Sequence, residues 1–291
     1  MKPPPFDYHA PTSAKEAVDL LGEFGEDAKI LAGGQSLIPM LALRLTAFDH
    51  LIDIGRIDEL KGVERRDGAL WLGAGTTEAT VGSDRAVADA TPLLARATPL
   101  IGHFQIRNRG TIGGSVAHAD PAAEYPAVAL TLDATMEVLS PRGVRTIGAV
   151  DFFDGLWTTS LDPDELLVGL TFPIWTGRCG FAIEEMARRH GDFAVAGAAV
   201  AMEVDASDRV ARCAIGLIGL GATPLRAHDA EEEVLGSNAR DVDIGDVAHR
   251  SMSTLPSVQS DLHGSENYRR RLGATMLERA WKKALEEALG A

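Results

Sequence analysis

Two glycine pairs, each closely followed by a serine, constrain this 291-residue chain more than any other feature. The first lies in AGGQS, residues 32–36, and the second in TIGGS, residues 111–115. Without side chains at the glycines, backbone N–H groups can point into a concave nest that a bulky anion approaches closely. A serine hydroxyl adds one donor, and a diphosphate offers several strong acceptors. The two loops therefore predict a clamp that holds one diphosphate from both sides.

A simpler interpretation of either loop is an ordinary turn, because the chain has 30 glycines and a lone Gly-Gly pair is weakly specific. Neither a GxGxxG fingerprint nor a GxxxxGK[ST] loop is present in the sequence. Segment 216–224 is rich in glycine, but Pro224 breaks any dinucleotide fingerprint there. By its motifs the chain is therefore neither a Rossmann nor a P-loop protein.

Composition excludes several classes of protein. Hydrophobic residues make up 45% and charged residues 24%, which is typical of a globular protein, and the formal net charge is −14. Such a charge disfavours nucleic acid and anionic membrane surfaces as partners. No apolar run suits a membrane span, and the N-terminal segment lacks the apolar region of a secretory signal. Only Cys179 and Cys213 are present, so they cannot ligate an iron–sulfur cluster, and the cytoplasm is the expected compartment.

The apolar pattern predicts that the chain opens with a helix, a strand, a glycine turn and a second helix. Ser13 and Glu16 form an S-x-x-E capping box at the start of the first helix, and Gly25 predicts its end. Segment 28–31 reads as a short strand and segment 50–55 as a second one. Hairpins are predicted at 63–77, turning at Asp67-Gly68, and at 134–149, turning at 141–143, with broken helix at 87–102 between them.

The character of the sequence changes near residue 180. Segments 193–205 and 209–221 read as long strands joined by a polar turn, and helices are predicted near 228–236 and at the C-terminus. Strands followed by helices predict an α+β unit. We therefore predict one domain at 1–176, with subdomains at about 1–55 and 56–176, and a C-terminal domain at 177–291.

Several segments resemble one family when they are taken together and in order. They are KPPPFDY, AGGQSL, LIDI, LWLGAGTT, IRNRGTIGGSVAHADPAAEYP, DFF, DELLVGLTFP and ARRHGDFAVAG. The chain is similar to the FAD-binding medium subunit of molybdenum hydroxylases, which is the flavoprotein chain of carbon monoxide dehydrogenase and its relatives. The resemblance implies an α+β fold: a PCMH-type FAD-binding domain of two subdomains, then a small C-terminal α+β domain with an antiparallel sheet and helices.

The resemblance also implies roles for individual residues. The loops that it assigns to the diphosphate and the neighbouring ribose and ribityl groups comprise Ala32, Gly33, Gly34, Gln35, Ser36 and Leu37, and Thr111, Ile112, Gly113, Gly114 and Ser115. His118, Asp120 and Glu124 continue along the cofactor, with Glu124 suited to bonding its hydroxyls. Loop residues that bond only the backbone are the alternative interpretation of His118 and Asp120, and a metal site is a third.

Three further positions are assigned near the flavin ring. Leu166 and Leu167 match a position that approaches the ring, and both are also compatible with a strand core. Phe193 could cover a ring face or belong to the core. Xanthine dehydrogenase relatives carry a lysine near the N1–O2 edge of the flavin, and the alignment places Glu184 there. A carboxylate would disfavour the anionic reduced flavin, so NAD, a quinone, a carrier protein and oxygen all stay open as electron acceptors.

The resemblance implies an oxidoreductase subunit that transfers electrons. Its partners would be a small subunit with [2Fe–2S] clusters and a large subunit with the molybdenum cofactor, assembled as a dimer of heterotrimers. Two other functions stay open: a self-sufficient FAD-dependent oxidase, and a non-enzymatic nucleotide-binding scaffold. The lack of a separate substrate domain disfavours the first of these, and the intact pair of glycine loops disfavours the second.

Overall fold

A computed structural model describes residues 2–290 and has the α+β architecture that the sequence predicts. The first subdomain contains a three-stranded parallel sheet in the order β1-β3-β2. Its elements are β1 (Asp7–His9), α1 (Ala14–Phe24), β2 (Ala28–Leu31), α2 (Leu37–Leu43) and β3 (His50–Asp53). The predicted start and end of α1 are confirmed, because Ser13 Oγ accepts the Glu16 N–H at 3.1 Å and Gly25 follows with φ of +54°.

The second subdomain is built on a five-stranded antiparallel sheet in the order β4-β5-β10-β6-β7. The strands of this sheet are β4 (Val63–Arg66), β5 (Ala69–Gly73), β6 (Thr135–Ser140), β7 (Gly143–Gly148) and β10 (Leu166–Pro173). The short strands β8 (Phe153–Gly155) and β9 (Thr158–Thr159) form a separate pair. Both predicted hairpins are confirmed. The first turns through Asp67 and Gly68, with φ of +43° and +81°.

Seven short helices surround this sheet and carry much of the candidate site. They are α3 (Glu78–Ser83), α4 (Arg85–Ala90), α5 (Pro92–Ala97), α6 (Phe104–Arg107), α7 (Ile112–His118), α8 (Glu124–Thr131) and α9 (Ala149–Phe152). The segment predicted as broken helix is indeed divided: Pro92 opens α5, and Pro99 lies in a 3₁₀ turn that follows it. Proline lacks the N–H that an interior helical position needs, so it begins these segments instead of continuing them.

The C-terminal part is a four-stranded antiparallel sheet with helices packed on one face. Its elements are β11 (Arg178–Met186), β12 (Ala196–Val204), β13 (Val210–Ile218), β14 (Leu225–Arg226), α10 (His228–Val234), α11 (Ile244–Thr254) and α12 (Glu266–Leu289). The sequence patterns missed β11 and α11. The strand predicted from 193 begins at Ala196, so Phe193 precedes it.

This sheet divides its two faces between different apolar cores. Phe181 and Ile183 of β11 belong to the core of the second subdomain, whereas Ala182 belongs to the core beneath α12. Successive side chains of a strand point to opposite faces, so odd positions of β11 face the second subdomain and even positions face the C-terminal helices. This alternation decides where the acidic residues further along β11 point.

Candidate functional site

The two glycine loops are in contact with each other. A Cβ placed on Gly33 would lie 2.7 Å from the carbonyl carbon of Arg109 and from the Cα of Gly110. A Cβ placed on Gly114 would lie 3.3 Å from the Cβ of Ala32. The backbone of Arg109 and Gly110, which leads into the second loop, therefore fills the space in which a side chain at Gly33 would stand. Close contact between the loops is what requires glycine at this position.

Unused backbone donors are concentrated in the first loop. No acceptor within residues 2–290 takes the N–H groups of residues 33–36. Gly34 has φ of +73°, and the Gln35 side chain folds back to donate to the Gly33 carbonyl at 2.8 Å. Four consecutive unpaired amides in a partly exposed turn form the kind of concavity that binds an anion. The loop therefore fits a diphosphate without any lysine in it.

The second loop differs from the prediction, because its amides are already used inside the protein. The N–H groups of Ile112 and Gly113 donate to the carbonyls of Thr76 at 3.0 Å and Ala74 at 2.9 Å. Those of Gly114 and Ser115 donate to Thr111, to its Oγ1 at 3.0 Å and to its carbonyl at 2.9 Å. These bonds start α7 and fix it to the end of β5. The expectation of two equivalent amide nests is therefore wrong, and the second loop offers side chains, Ser115 Oγ among them.

His118 and Asp120 lie against an aromatic residue that the sequence analysis missed. The imidazole of His118 stacks on the Trp157 indole, with ring centroids 6.3 Å apart and planes 12° apart. Trp157 Nε1 donates to Asp120 Oδ2 at 3.1 Å, and Asp120 Oδ1 caps the turn by accepting the Ala122 N–H at 2.8 Å. Burial lowers the pKa of His118, so its imidazole is neutral at pH 7. Trp157 lies half-exposed at the tip of the β8–β9 hairpin, available to a ligand.

Glu124 is the most perturbed acid of the predicted set. It begins α8, only 5% of the residue is exposed, and burial raises its pKa to about 8 with a further contribution from the Glu185 carboxylate. Burial also raises the pKa of Glu185 to about 7. Glu78, at the start of α3, has a pKa raised by burial to about 7 against the opposing charge of Arg107. Buried acids with raised pKa values are typical of functional sites.

Two of these carboxylates were not singled out from the sequence. Glu78 Oε2 and Glu185 Oε2 are both fully buried and have no hydrogen-bond partner in the described part of the chain. Glu78 could have been noticed as an acid in the segment GAGTTE that precedes a short helix. Glu185 could have been noticed only by knowing the register of β11, a strand that the pattern did not predict.

Glu184 lies on the opposite face of β11 from Glu185. Its side chain pairs with Lys283 of α12, on the face of β11 directed at the C-terminal helices. The neighbouring Glu185 lies on the opposite face, where it interacts with Glu124. A shift of one residue moves a side chain to the other face of the sheet, so the predicted place of Glu184 at the flavin edge depends on this register and stays a prediction.

The three residues assigned near the flavin ring have different environments. Leu166 and Leu167 are 2% and 5% exposed, and they belong to the apolar cores of the first and second subdomains respectively. They are therefore core residues of β10, the strand at which the two subdomains meet. Phe193 is 59% exposed, so of its two interpretations the one as a core residue is excluded. Its exposure leaves open the alternative that it covers a ligand.

The α+β fold and the concavity of unpaired amides at residues 33–36 fit a protein that binds a phosphorylated cofactor. The chain belongs to the family described as the FAD binding domain in molybdopterin dehydrogenase, which matches residues 4–175. Residues 181–284 match the CO dehydrogenase flavoprotein C-terminal domain. The resemblance predicted from the sequence motifs is thereby confirmed.

Relatives of known function match over almost the full chain. The 6-hydroxypseudooxynicotine dehydrogenase complex subunit alpha of Paenarthrobacter nicotinovorans is 40% identical and covers 99% of this chain and 97% of its own length. The carbon monoxide dehydrogenase medium chain of Hydrogenophaga pseudoflava is 38% identical, with 98% of each covered. A solved structure of carbon monoxide dehydrogenase from Hydrogenophaga pseudoflava superposes with a TM-score of 0.95 at 39% identity, over 99% of each chain.

The residues present fit FAD on two observations. The unpaired amides of residues 33–36 suit the diphosphate. Glu78 and Glu185 each have a buried carboxylate oxygen without a hydrogen-bond partner, and such an oxygen suits a ligand that donates a hydrogen bond. No cluster of three or more potential metal ligands is found between residues 2 and 290. Across the same range, no helix is long and apolar enough to cross a membrane.

Proposed function

We propose that this chain is the FAD-carrying electron-transfer subunit of a multi-subunit molybdenum hydroxylase. It takes electrons from a [2Fe–2S] subunit and passes them to an external acceptor. The observation that carries the proposal is the row of four unpaired amides at 33–36, docked on the TIGGS loop, in a chain that belongs to an FAD-binding family. FAD supplies the redox chemistry when it is bound, and the protein holds and tunes it.

The residues of the site have distinct tasks in this proposal. The amides of residues 33–36 hold the diphosphate, and the Ser115 hydroxyl adds a donor from the second loop. Glu124 accepts from cofactor hydroxyls at the start of α8. Trp157, held by Asp120 and stacked on His118, lies against the cofactor. Phe193, exposed before β12, covers the flavin ring.

The partner chains in this proposal are a small [2Fe–2S] subunit and a large molybdenum-cofactor subunit, in a dimer of heterotrimers in the cytoplasm. Two observations on this chain support the division of labour. Its two cysteines are both free thiols, one of them buried, and two thiolates cannot hold a four-ligand cluster. The relatives that it matches from end to end are named as medium chains or as subunits of complexes.

Co-expression with candidate small and large chains tests the proposal. The purified complex should contain this chain with FAD, iron and molybdenum, and it should reduce an acceptor dye when the hydroxylase substrate is supplied. Removal of FAD should leave the iron and molybdenum in place while abolishing reduction of the dye, and added FAD should restore it. A lone monomer that ignores both partners and oxidises an organic substrate would contradict the proposal and favour a self-sufficient oxidase.

A further inference from the structure

Arg269 is a buried cation that has no task in the function described above. It lies one turn into α12, and only 4% of the residue is exposed. Its Nη1 donates to the Val195 carbonyl at 2.6 Å and to the Gly219 carbonyl at 3.3 Å. Its Nη2 donates to Asp261 Oδ2 at 2.7 Å. Arginine is almost never fully buried unless it is paired, so these contacts account for its burial.

The two carbonyls that accept from Arg269 lie at one end of the C-terminal sheet. Val195 immediately precedes β12, and Gly219 immediately follows the neighbouring strand β13. Gly219 has φ of +71°, and a Cβ placed on it would lie 3.0 Å from the carbonyl oxygens of Ala194 and Val195. No other donor in the described part of the chain reaches either carbonyl of the pair at 195 and 219. Arg269 therefore joins two segments that are already in contact.

Val195 is also the anchor nearest to the exposed ring of Phe193. Among the residues that the structure describes, neither Phe193 nor Ala194 has a backbone hydrogen-bond partner. Val195 is buried, and its N–H donates to the Met186 carbonyl at 2.7 Å, at the end of β11. Its carbonyl accepts from Arg269. The backbone that follows Phe193 therefore has two anchors, and Arg269 provides one of them.

The supports on either side of the guanidinium are held by bonds of their own. The Gly219 N–H donates to the Pro121 carbonyl at 2.8 Å, which fixes Gly219 to the segment before α8. Asp261 Oδ1 accepts two N–H groups of its own turn, at 2.7 and 3.2 Å. Since these bonds do not involve Arg269, its loss should leave the supports in place. The segment 193–195 is then the part that shifts.

We propose that Arg269 is a positioning residue that fixes the Phe193 ring over the flavin. It acts through the Val195 carbonyl and not by contact with the cofactor. This inference rests on the proposed function, which places Phe193 over the flavin ring. A buried carbonyl that loses its donor is costly, so without Arg269 the segment moves to find another partner or water. The Phe193 ring then no longer has a fixed place against the flavin.

A double-mutant cycle of Arg269→Gln and Phe193→Ala separates positioning from a purely structural role. Each flavin-free full chain is titrated with FAD, and the visible circular dichroism of the bound flavin is recorded. Phe193→Ala should raise the FAD dissociation constant about two- to tenfold, the range of an aromatic contact, and change the spectrum. Arg269→Gln should change both readouts in the same direction in the wild type. It should add nothing to a chain that already carries Phe193→Ala.

Arg270→Gln is the matched control. Arg270 is the next residue of α12, and it likewise binds backbone and a carboxylate, the Leu255 carbonyl at 2.9 Å and Glu266 at 2.7 Å. Its backbone partners belong to the end of α11 and not to the sheet. This variant should lower stability in denaturant unfolding and leave both flavin readouts at their wild-type values. If Arg269→Gln does not fold, Asp261→Asn takes its place in the cycle, because it removes the charge that orients the guanidinium.

The outcomes distinguish the inference from the proposed function. If FAD does not bind the wild type, the proposed function fails and the inference fails with it. If FAD binds but Phe193→Ala or Arg269→Gln leaves both readouts unchanged, the inference alone is overturned. It is also overturned if Arg269→Gln has the same effect with and without Phe193, or if Arg270→Gln has an equal effect. An effect of Arg269→Gln that disappears in the Phe193→Ala chain supports it.

Discussion

Gly33→Ala is the smallest change that separates the two loops. The added Cβ would lie 2.7 Å from the Gly110 Cα, whereas an ordinary contact needs at least 3.4 Å. The loops must therefore part by a few tenths of an ångström or more, and overpacking of this kind costs about 1–3 kcal/mol of stability. The shift also moves the amides of residues 33–36. Each hydrogen bond to a charged group contributes about 1.5–3 kcal/mol, so losing one weakens FAD binding about 10- to 100-fold.

Equilibrium titration of the flavin-free chain with FAD, followed by flavin fluorescence, measures this loss of affinity, and thermal unfolding measures the stability. Gly22→Ala is the control, since Gly22 lies within α1 and its added Cβ would meet only Pro141 Cγ, at 3.7 Å. That change should stabilise the helix by about 0.5–1 kcal/mol and leave FAD affinity unchanged. If Gly33→Ala binds FAD as tightly as the wild type, the loop contact does not position the amides and the reasoning is refuted.

Three other predictions concern stability and are read from denaturant unfolding. Burial raises the pKa of Glu124 from 4.5 to about 8, so the free energy of unfolding should fall as pH rises through that interval. Glu124→Gln should flatten this fall. An unchanged slope of unfolding free energy against pH would contradict the prediction. Arg145 holds the pKa of Glu165 below its usual 4.5, so Glu165→Gln should destabilise the protein at pH 7. The difference in unfolding free energy between the variant and the wild type should shrink below pH 4.5. A difference that is independent of pH would argue against this pairing. Ser13→Ala should cost about 1 kcal/mol through loss of the cap on the Glu16 N–H, and no cost would mean that the cap is dispensable.

Local chemistry explains why much of the fold was predictable. The cap at Ser13, the Asp67-Gly68 turn and the prolines that divide the segment from 87 to 102 each act over a few residues, so their signals lie in short stretches of sequence. β11 gave no such signal. Its central residues 179–183 are small or apolar and lie between two buried faces, and so short a run cannot be assigned by periodicity.

The site was predictable where it depends on the glycine motifs and not where it depends on register. The loops at 32–36 and 111–115 were located from sequence, but only the structure distinguishes the unpaired amides of the first from the internally bonded amides of the second. Glu185 was missed because its environment is set by the side of β11 on which it falls. Trp157 was missed because a two-residue hairpin strand brings it to His118 from a distant part of the chain.

A structure of the FAD-loaded chain tests the central claim most directly. The account predicts diphosphate oxygens within about 2.7–3.2 Å of the backbone nitrogens of residues 33–36, and none within that distance of the nitrogens of residues 112–115. It also predicts that the cofactor lies against Glu124 and that Glu184 stays paired with Lys283. A diphosphate bound away from residues 33–36 would contradict the account. A flavin in contact with Glu184, on the face of β11 that is directed at the C-terminal helices, would also contradict it.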